Sequence, residues 1–307
     1  MIRLAASLLC LVLMAPQAPA DDAPASKPDA AASRAGLNDR LLALCRKDTE
    51  GYRLIRSDEP ARPLVSREVL KWTNPVRDGQ IGVVHGWLRD GRVEAVSSVF
   101  NGPVERGNVQ IMHEFVSLST GRLGGQWNGK TVWQPARAGF APQLLEKGDR
   151  PEGTRPARLR QIRTLAREFS AHSLSPYADK SRWELRMLPQ PLYRYDAGDK
   201  GDGATNADVL DGALFAFVST AGTDPELLLV IEARRVSGEW RWEFGGGRFS
   251  DNSLFLEHGG KTVWEYVNQT ATPTDAAGET DTYRLRTDRI MSESELMATS
   301  PAAAAAP

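Results

Sequence analysis

Apolar and polar positions along this 307-residue chain alternate far more often than they recur at helical spacing. Two stretches depart from alternation. Around 37–47, Leu41, Leu42, Leu44 and Cys45 share a helical period, with Asn38 or Asp39 near the cap. In PARLRQIRTLAREFSA, 156–171, Leu159, Ile162, Leu165, Ala166 and Phe169 form one apolar stripe, and Pro156 suits a first turn. Nearly everything else reads as strand. GVVHGWLRDGRVEAVSSVF, 82–100, is two strands about Asp90-Gly91, a pair that tolerates the positive φ of a tight hairpin. ALFAFVSTAGTDPELLLVIEARR, 213–235, repeats the design with a longer connection.

The two hairpins belong to a longer repeat. Gly82 aligns with Gly212, Glu94 with Glu226, Glu114-Phe115 with Glu243-Phe244, and GKTVW at 129–133 with GKTVW at 260–264. The offsets are 130, 132, 129 and 131, in the same order, which indicates a duplicated β unit. The repeat also settles a tempting motif. Gly124-x4-Gly129-Lys130-Thr131 matches a phosphate-binding loop, but the second copy has Phe255 where the first glycine belongs. Such a loop must open a helix, whereas Val132-Trp133-Gln134-Pro135 favours a strand that then breaks. Asn128-Gly129 and Gly259-Gly260 instead suit type I′ turns.

The ends suggest export. Arg3, an apolar run from Leu4 to Met14 and Ala18-Pro19-Ala20 predict a signal peptide over 1–20, cut before Asp21. That places the protein outside the cell or in the periplasm or envelope, with no transmembrane segment once the signal is removed. Residues 21–35 read as a disordered linker and 291–307 as a disordered tail. Between them lie a helical segment at 36–65, a first β unit at 66–142, a linker with the helix at 143–185, and a second β unit at 186–290. Removing the signal removes Cys10, so Cys45 has no intramolecular disulfide partner and reads as a buried structural thiol. A net charge of −1 provides no field to recruit nucleic acid.

Candidate chemistry is sparse. His113-Glu114 lacks the second histidine of a zinc-protease motif, since Ser117 stands there. His85 sits where the second copy has Phe215, which indicates packing. Gly-x-Ser-x-Gly is absent, and no motif implies a cofactor. Glu94 with Glu226, and Glu114 with Glu243, are paired carboxylates that either flank a cleft or repeat a structural bond. The candidates for catalysis are therefore His85, His113, Glu114 and Asp211. Asp196, Asp199, Asp202, Asp208 and Asp211 crowd one loop, with Asp196, Asp199 and Asp202 as metal candidates, although the spacing departs from a calcium loop. Ligand-contact candidates are Trp127 and Trp240, which lack a clear mate, and Arg160, Arg163 and Arg167 on the basic helix.

QPLYRY at 190–195, DGALFAFV at 211–218, GTDPELLLVIEARR at 222–235 and RQIRTLAREFSA at 160–171 resemble a planctomycete-type family of exported bacterial proteins with no assigned activity. The resemblance spans about 66–265 and implies export and a shared fold. The fold expected is α+β, predominantly antiparallel β, with two pseudo-repeated units forming a sandwich or partial barrel. The leading functional expectation is a non-catalytic module that binds a small molecule, a glycan or an envelope protein. The alternatives are a hydrolase with its site between the units, and a structural part of an envelope assembly.

Overall fold

A computed structural model describes residues 27–77, 79–146, 148–175, 181–196, 208–220, 222–268 and 280–298, with side chains from Arg34 onward. The expected signal peptide, Asp199 and Asp202 lie outside the described residues. Residues up to Gly36 form a unit of their own, and the architecture below is that of Leu37 onward.

The first half runs α1(Lys27–Glu50), β1(Tyr52–Arg56), β2(Glu59–Pro63), β3(Val65–Asn74), β4(Gln80–Arg89), β5(Arg92–Gly102), β6(Asn108–Ser117), β7(Leu123–Trp127) and β8(Lys130–Trp133). A short β9(Gln143–Leu144) leads to the second half. That half runs α2(Arg155–Ala166), β10(Phe169–Leu174), β11(Arg182–Met187), β12(Tyr193–Asp196), β13(Val209–Val218), β14(Pro225–Val236), β15(Glu239–Arg248), β16(Ser253–His258) and β17(Lys261–Tyr266). β18(Tyr283–Ser292) and α3(Glu293–Ala298) follow. All strand pairs are antiparallel.

Each half is a helix, a hairpin, a four-strand meander and a closing hairpin that pairs back onto the first. β7 pairs β1, and β16 pairs β10 in the same way. The matched topology is thus wider than 66–142 and 186–290, because each block starts at its helix. Both closing hairpins turn at positive φ, Asn128-Gly129 at 48° and 79° and Gly259-Gly260 at 57° and 75°. The GKT stretch is therefore a hairpin, and the phosphate-loop pattern has no helix to serve it.

The halves also differ. β11 bridges β10 to β13, so the second half is one continuous curled sheet, capped by β9 on β15. In the first half β1, β2, β7 and β8 form a separate sheet, and the meander edge is capped instead by β18 on β6.

Face parity builds the layers. Val84, Val93, Val96 and Leu118 point inward against Leu214, Ala216, Leu228 and Val230, which forms a shared core between the two meanders. The outer face of the first meander, with Val83, Val99 and Ile111, packs on Leu41, Leu42 and Cys45 of α1. Ile162 and Ala166 of α2 cover Phe215, Leu229 and Ile231 on the second. Burying each Val, Leu, Ile or Phe among these contributes roughly 1.5–3 kcal/mol. Cys45 is sealed in this core, and burial pushes its thiol pKa up, away from reactivity.

Three boundaries differ from the sequence reading. α1 begins at Lys27, inside the expected linker, because Ala30-Ala31-Ala32 favours helix once Leu41 anchors the next turns. α2 ends at Ala166, and Phe169, expected on the helical stripe, opens β10. The expected tail is ordered through Ala298, because β18 pairs with β6 and Leu296 is buried beside α1.

Candidate functional site

Register relates the halves residue by residue. Gly82 pairs with Trp72, and Gly212 with Tyr195. A Cβ on Gly82 would come within 2.7 Å of the Trp72 ring, and one on Gly212 within 2.6 Å of the Tyr195 ring. The Glu94 carbonyl accepts from Leu118 N at 2.8 Å, and the Glu226 carbonyl from Phe249 N at 2.9 Å. Glu94 and Glu226 are therefore true counterparts, as are Leu118 and Phe249. The same registers correct one sequence match. Ser98 pairs Glu114 while Val230 pairs Gly245, so Glu114 corresponds to Gly245 rather than to Glu243. The shared Glu-Phe dipeptide is a two-residue slip that keeps the same sheet face.

At one end of the interface between the meanders, Arg92 lies 2% exposed. Its Nε donates to Glu232 Oε1 at 2.7 Å, and its Nη1 donates to Glu94 Oε1 at 2.9 Å and to the Leu118 carbonyl at 3.0 Å. Tyr195 donates its hydroxyl to Glu232 Oε1 at 2.5 Å, and Arg234 Nη1 donates to Oε2 at 3.0 Å. The Phe140 ring covers the guanidinium at 5.1 Å and occupies room left by Gly245. Burial alone would raise the Glu232 pKa, but Arg92 and Arg234 outweigh it and hold the carboxyl below its usual range.

Carrying each residue to its counterpart leads to the opposite end. Arg92 becomes Asp224, Glu94 becomes Glu226, Glu232 becomes Phe100, Tyr195 becomes Trp72 and Leu118 becomes Phe249. All five line one cleft of about 460 Å³. A long guanidinium has given way to a short carboxylate, and the room it fills at one end forms a cleft at the other.

Glu114 enters this cleft from β6 and is 7% exposed. Its Oε1 accepts from the Tyr283 hydroxyl at 2.6 Å, and its Oε2 bonds no described residue. Burial, reinforced by Asp251 and Asp224, pushes the Glu114 carboxyl up to about 8 against the Tyr283 bond. Asp224 accepts from Asn74 Nδ2 at 3.0 Å and Arg77 Nη1 at 3.2 Å. Glu226 accepts from Asn252 Nδ2 at 3.0 Å and Arg77 Nη2 at 3.3 Å. The Arg77 side chain is 47% exposed, so its pairs are screened by water. Asp251 pairs with Arg248 at 3.2 Å, whose guanidinium lies 3.9 Å from Tyr266 and 4.0 Å from Tyr283. Burial raises the pKa of Asp224, Glu226 and Asp251 alike. Trp72, Phe100, Phe249, Leu285 and the exposed Trp183 supply apolar wall.

Of the residues singled out in the sequence, Glu114 and Glu226 line this cleft. His85 is buried with Nδ1 unpaired among the described residues, and burial lowers its pKa. Asp211 is fully buried and holds Arg158 at 2.8 Å and Arg194 at 2.7 Å, a structural anchor for α2. Asp196 pairs with Asp211 through the β12 backbone. Arg160 is exposed on a separate groove of about 330 Å³ beside Trp242 and His258. Arg163 bonds Gln190, Arg167 caps α2, and Arg235 stacks on Trp240 at 4.7 Å. The basic helix and the tryptophans therefore do not converge.

His113 and Trp127 belong to a second contrast between the halves. Tyr52, His113 and Trp127 form a triangle of rings with centroids 5.5, 5.7 and 6.0 Å apart. Phe169, Phe244 and His258 form the matching triangle at 5.0, 6.3 and 4.6 Å. In the first half the triangle is polar. His113 Nδ1 bonds the Tyr52 hydroxyl, and Nε2 lies 3.3 Å from Asp48 Oδ2. Arg289 donates to Asp48 at 2.9 Å, Arg286 donates to the Tyr52 hydroxyl at 3.1 Å, and both arginines pair with Asp288. Asp48, His113 and Asp288 come close enough to hold a metal ion, but the two arginines already bond both carboxylates. The network fastens β18 to α1 and β1, across a bulge that turns Asp288 inward.

Sequence reasoning missed Arg77, Asp224, Asp251, Asn252 and Tyr283. One signal was present: at the offset of Glu94 and Glu226, Arg92 aligns with Asp224, a reversal of charge two residues before a matched glutamate. Among the described residues, no helix is long and apolar enough to cross a membrane. No protein-family model matches the chain, and a search of characterised proteins gives no match. Among solved structures, the GH36 alpha-galactosidase AgaB from Geobacillus stearothermophilus aligns at 9% identity over 70% of this chain and 28% of that one, with a TM-score of 0.19. That likeness is too slight to bear on fold or chemistry.

Proposed function

We propose that the protein is a non-catalytic binding module that takes a small molecule in the cleft between its two halves. One observation carries this reading: both halves contribute to a cleft of about 460 Å³ with apolar walls and a few recessed polar groups. That size and composition fit small-molecule sites, which run to roughly 300–1,000 Å³. The exported setting expected from the N-terminus suits a module that captures a ligand outside the cytoplasm. Ligand-observed NMR with a set of small aromatic and aliphatic fragments tests it. Leu285→Trp adds bulk to the wall and should erase the signals, whereas Arg160→Ala, at the other groove, should leave them. Signals that persist in Leu285→Trp would move the site elsewhere.

A second reading is acid–base hydrolysis at the same place. It is favoured by Glu114, whose carboxyl keeps its proton near neutral pH, as a general acid must, and which shares the cleft with Glu226 from the other half. Turnover of any ester, amide or glycoside that is lost in Glu114→Gln while binding remains would establish it over the first.

A further inference from the structure

We propose that the cleft takes a cationic group, an amidinium, guanidinium or primary ammonium on a flat apolar body, in the place that corresponds to the Arg92 guanidinium. This rests on the binding reading above and names its ligand class. The argument starts from internal symmetry. At the filled end, Glu94 bonds a buried guanidinium at 2.9 Å, and that guanidinium also reaches the Leu118 carbonyl at 3.0 Å. At the open end, the same acceptors are kept: Glu226 stands for Glu94, and the Phe249 backbone stands for Leu118. The cation is not kept, because Asp224 stands for Arg92.

Charge points the same way. The filled end sets Arg92, Arg56 and Arg234 against Glu94 and Glu232, with Asp58 and Glu243 on the outer sides of Arg56 and Arg234. The open end sets Asp224, Glu226 and Asp251 against Arg77 and Arg248. A buried cation is what differs: Arg92 sits among its carboxylates at 2% exposure, and no described arginine so buried pairs with Asp224 or Glu226. Two further features favour a ligand from outside. Arg77 reaches both Asp224 and Glu226 only from a half-exposed position, at 3.2 and 3.3 Å. Glu114, more than nine-tenths buried, lines the cleft with one carboxyl oxygen that bonds no described residue. Phe140 covers the Arg92 guanidinium, and Trp72, Phe100 and Phe249 are placed to do the same for a flat cation.

Benzamidine, a flat amidinium, is the probe, and benzamide, its neutral isostere, is the control. Calorimetric titration of the full chain should show benzamidine binding once per chain, at least tenfold more tightly than benzamide. Glu226→Gln should weaken benzamidine at least tenfold and leave benzamide within about twofold. Asp224→Arg should restore an internal guanidinium and abolish benzamidine binding. If that variant does not fold, Glu226→Gln still decides. N-acetyl-arginine amide separates a free ligand from a partner's side chain, and tighter binding of it than of benzamidine would overturn the flat-body assignment. Equal binding of benzamidine and benzamide would overturn the cation and leave the cleft-binding reading standing. Failure of both probes, together with silence in the fragment NMR, would remove that reading too.

Discussion

Arg92 and Asp224 occupy one position in two copies of one fold, and the two ends of the interface differ accordingly. Around Arg92, buried carboxylates and guanidiniums interlock at 2.7–3.0 Å. Around Asp224, carboxylates from both halves face a cleft, and burial raises the proton affinity of each. The lesson concerns how a duplicated sheet acquires a site. The two ends share backbone and acceptors and differ by the exchange of one cation for an anion, a structural knot at one end and a recess at the other.

The largest effect should come from breaking the knot. Arg92→Ala leaves Glu94 and Glu232 buried beside one another with less cation than they need. Loss of one partner from a buried charge cluster costs about 3–5 kcal/mol, and denaturant unfolding at neutral pH should show that loss. The same variant sharpens the comparison: if the ends are equivalent, it creates a second cation site, and benzamidine stoichiometry should rise from one to two. A loss below about 1 kcal/mol would mean that the knot is not what joins the halves.

Next in size is a pH effect at the open end. The Glu114 carboxyl is held up to about 8 in the folded chain, against 4.5 for an ordinary glutamate, first by burial and then by Asp251 and Asp224, with Tyr283 and Arg248 opposing. The folded state therefore holds a proton that the unfolded chain has released. Its contribution to stability is complete below about 4.5 and is lost as pH rises through about 8. Glu114→Gln removes this dependence. Its stability should gain on the native chain by on the order of a few kcal/mol between acid and alkaline pH, as thermal unfolding across that range would show. A constant difference would place the Glu114 proton affinity in the ordinary range.

The architecture was legible because it rests on local signals. Asp90-Gly91, Asn128-Gly129 and Gly259-Gly260 declare their turns, and alternation fixes which side chains face the core. The site was far less legible, because it is built from positions distant in sequence. Arg77 and Asp224 are 147 residues apart, and Tyr283 and Glu114 are 169 apart. The misjudged candidates show the limit from the other side. Asp211 looked like part of an acidic loop, yet Arg158 and Arg194 make it a buried anchor. His113 stood as a catalytic candidate beside Glu114, yet its side chain bonds partners on α1 and β1 instead. Residue type suggests chemistry, and only long-range packing assigns it.

A smaller effect tests the second contrast. His113→Phe gives the first half the side chain that the second half carries at Phe244 and removes bonds to Tyr52 and Asp48. Tyr52 keeps Arg286 and Asp48 keeps Arg289, but each loses one buried bond, which together should cost about 1–3 kcal/mol. The triple variant Asp48→Leu, Tyr52→Phe, His113→Phe copies the apolar triangle outright. Its loss should be smaller than the sum of the single losses, since residues of one network couple. Additivity would mean that the three act independently and that the triangle is not a unit.

The smallest effect discriminates most finely between the ends. Arg77 is the only described arginine that reaches Asp224 and Glu226, yet its half-exposed position leaves its ion pairs screened. Pairs of that kind contribute 0–1 kcal/mol at the median, so Arg77→Ala should change stability by about 1 kcal/mol or less. Binding should respond in the opposite sense. Removing the one guanidinium that competes for Glu226 leaves the cleft with less positive charge, and benzamidine should bind severalfold more tightly while benzamide does not change. If Arg77→Ala destabilises the fold as much as Arg92→Ala does, Arg77 is the true counterpart of Arg92, reached from another loop. The open end would then be a second knot, and the contrast between Arg92 and Asp224 would be one of route alone.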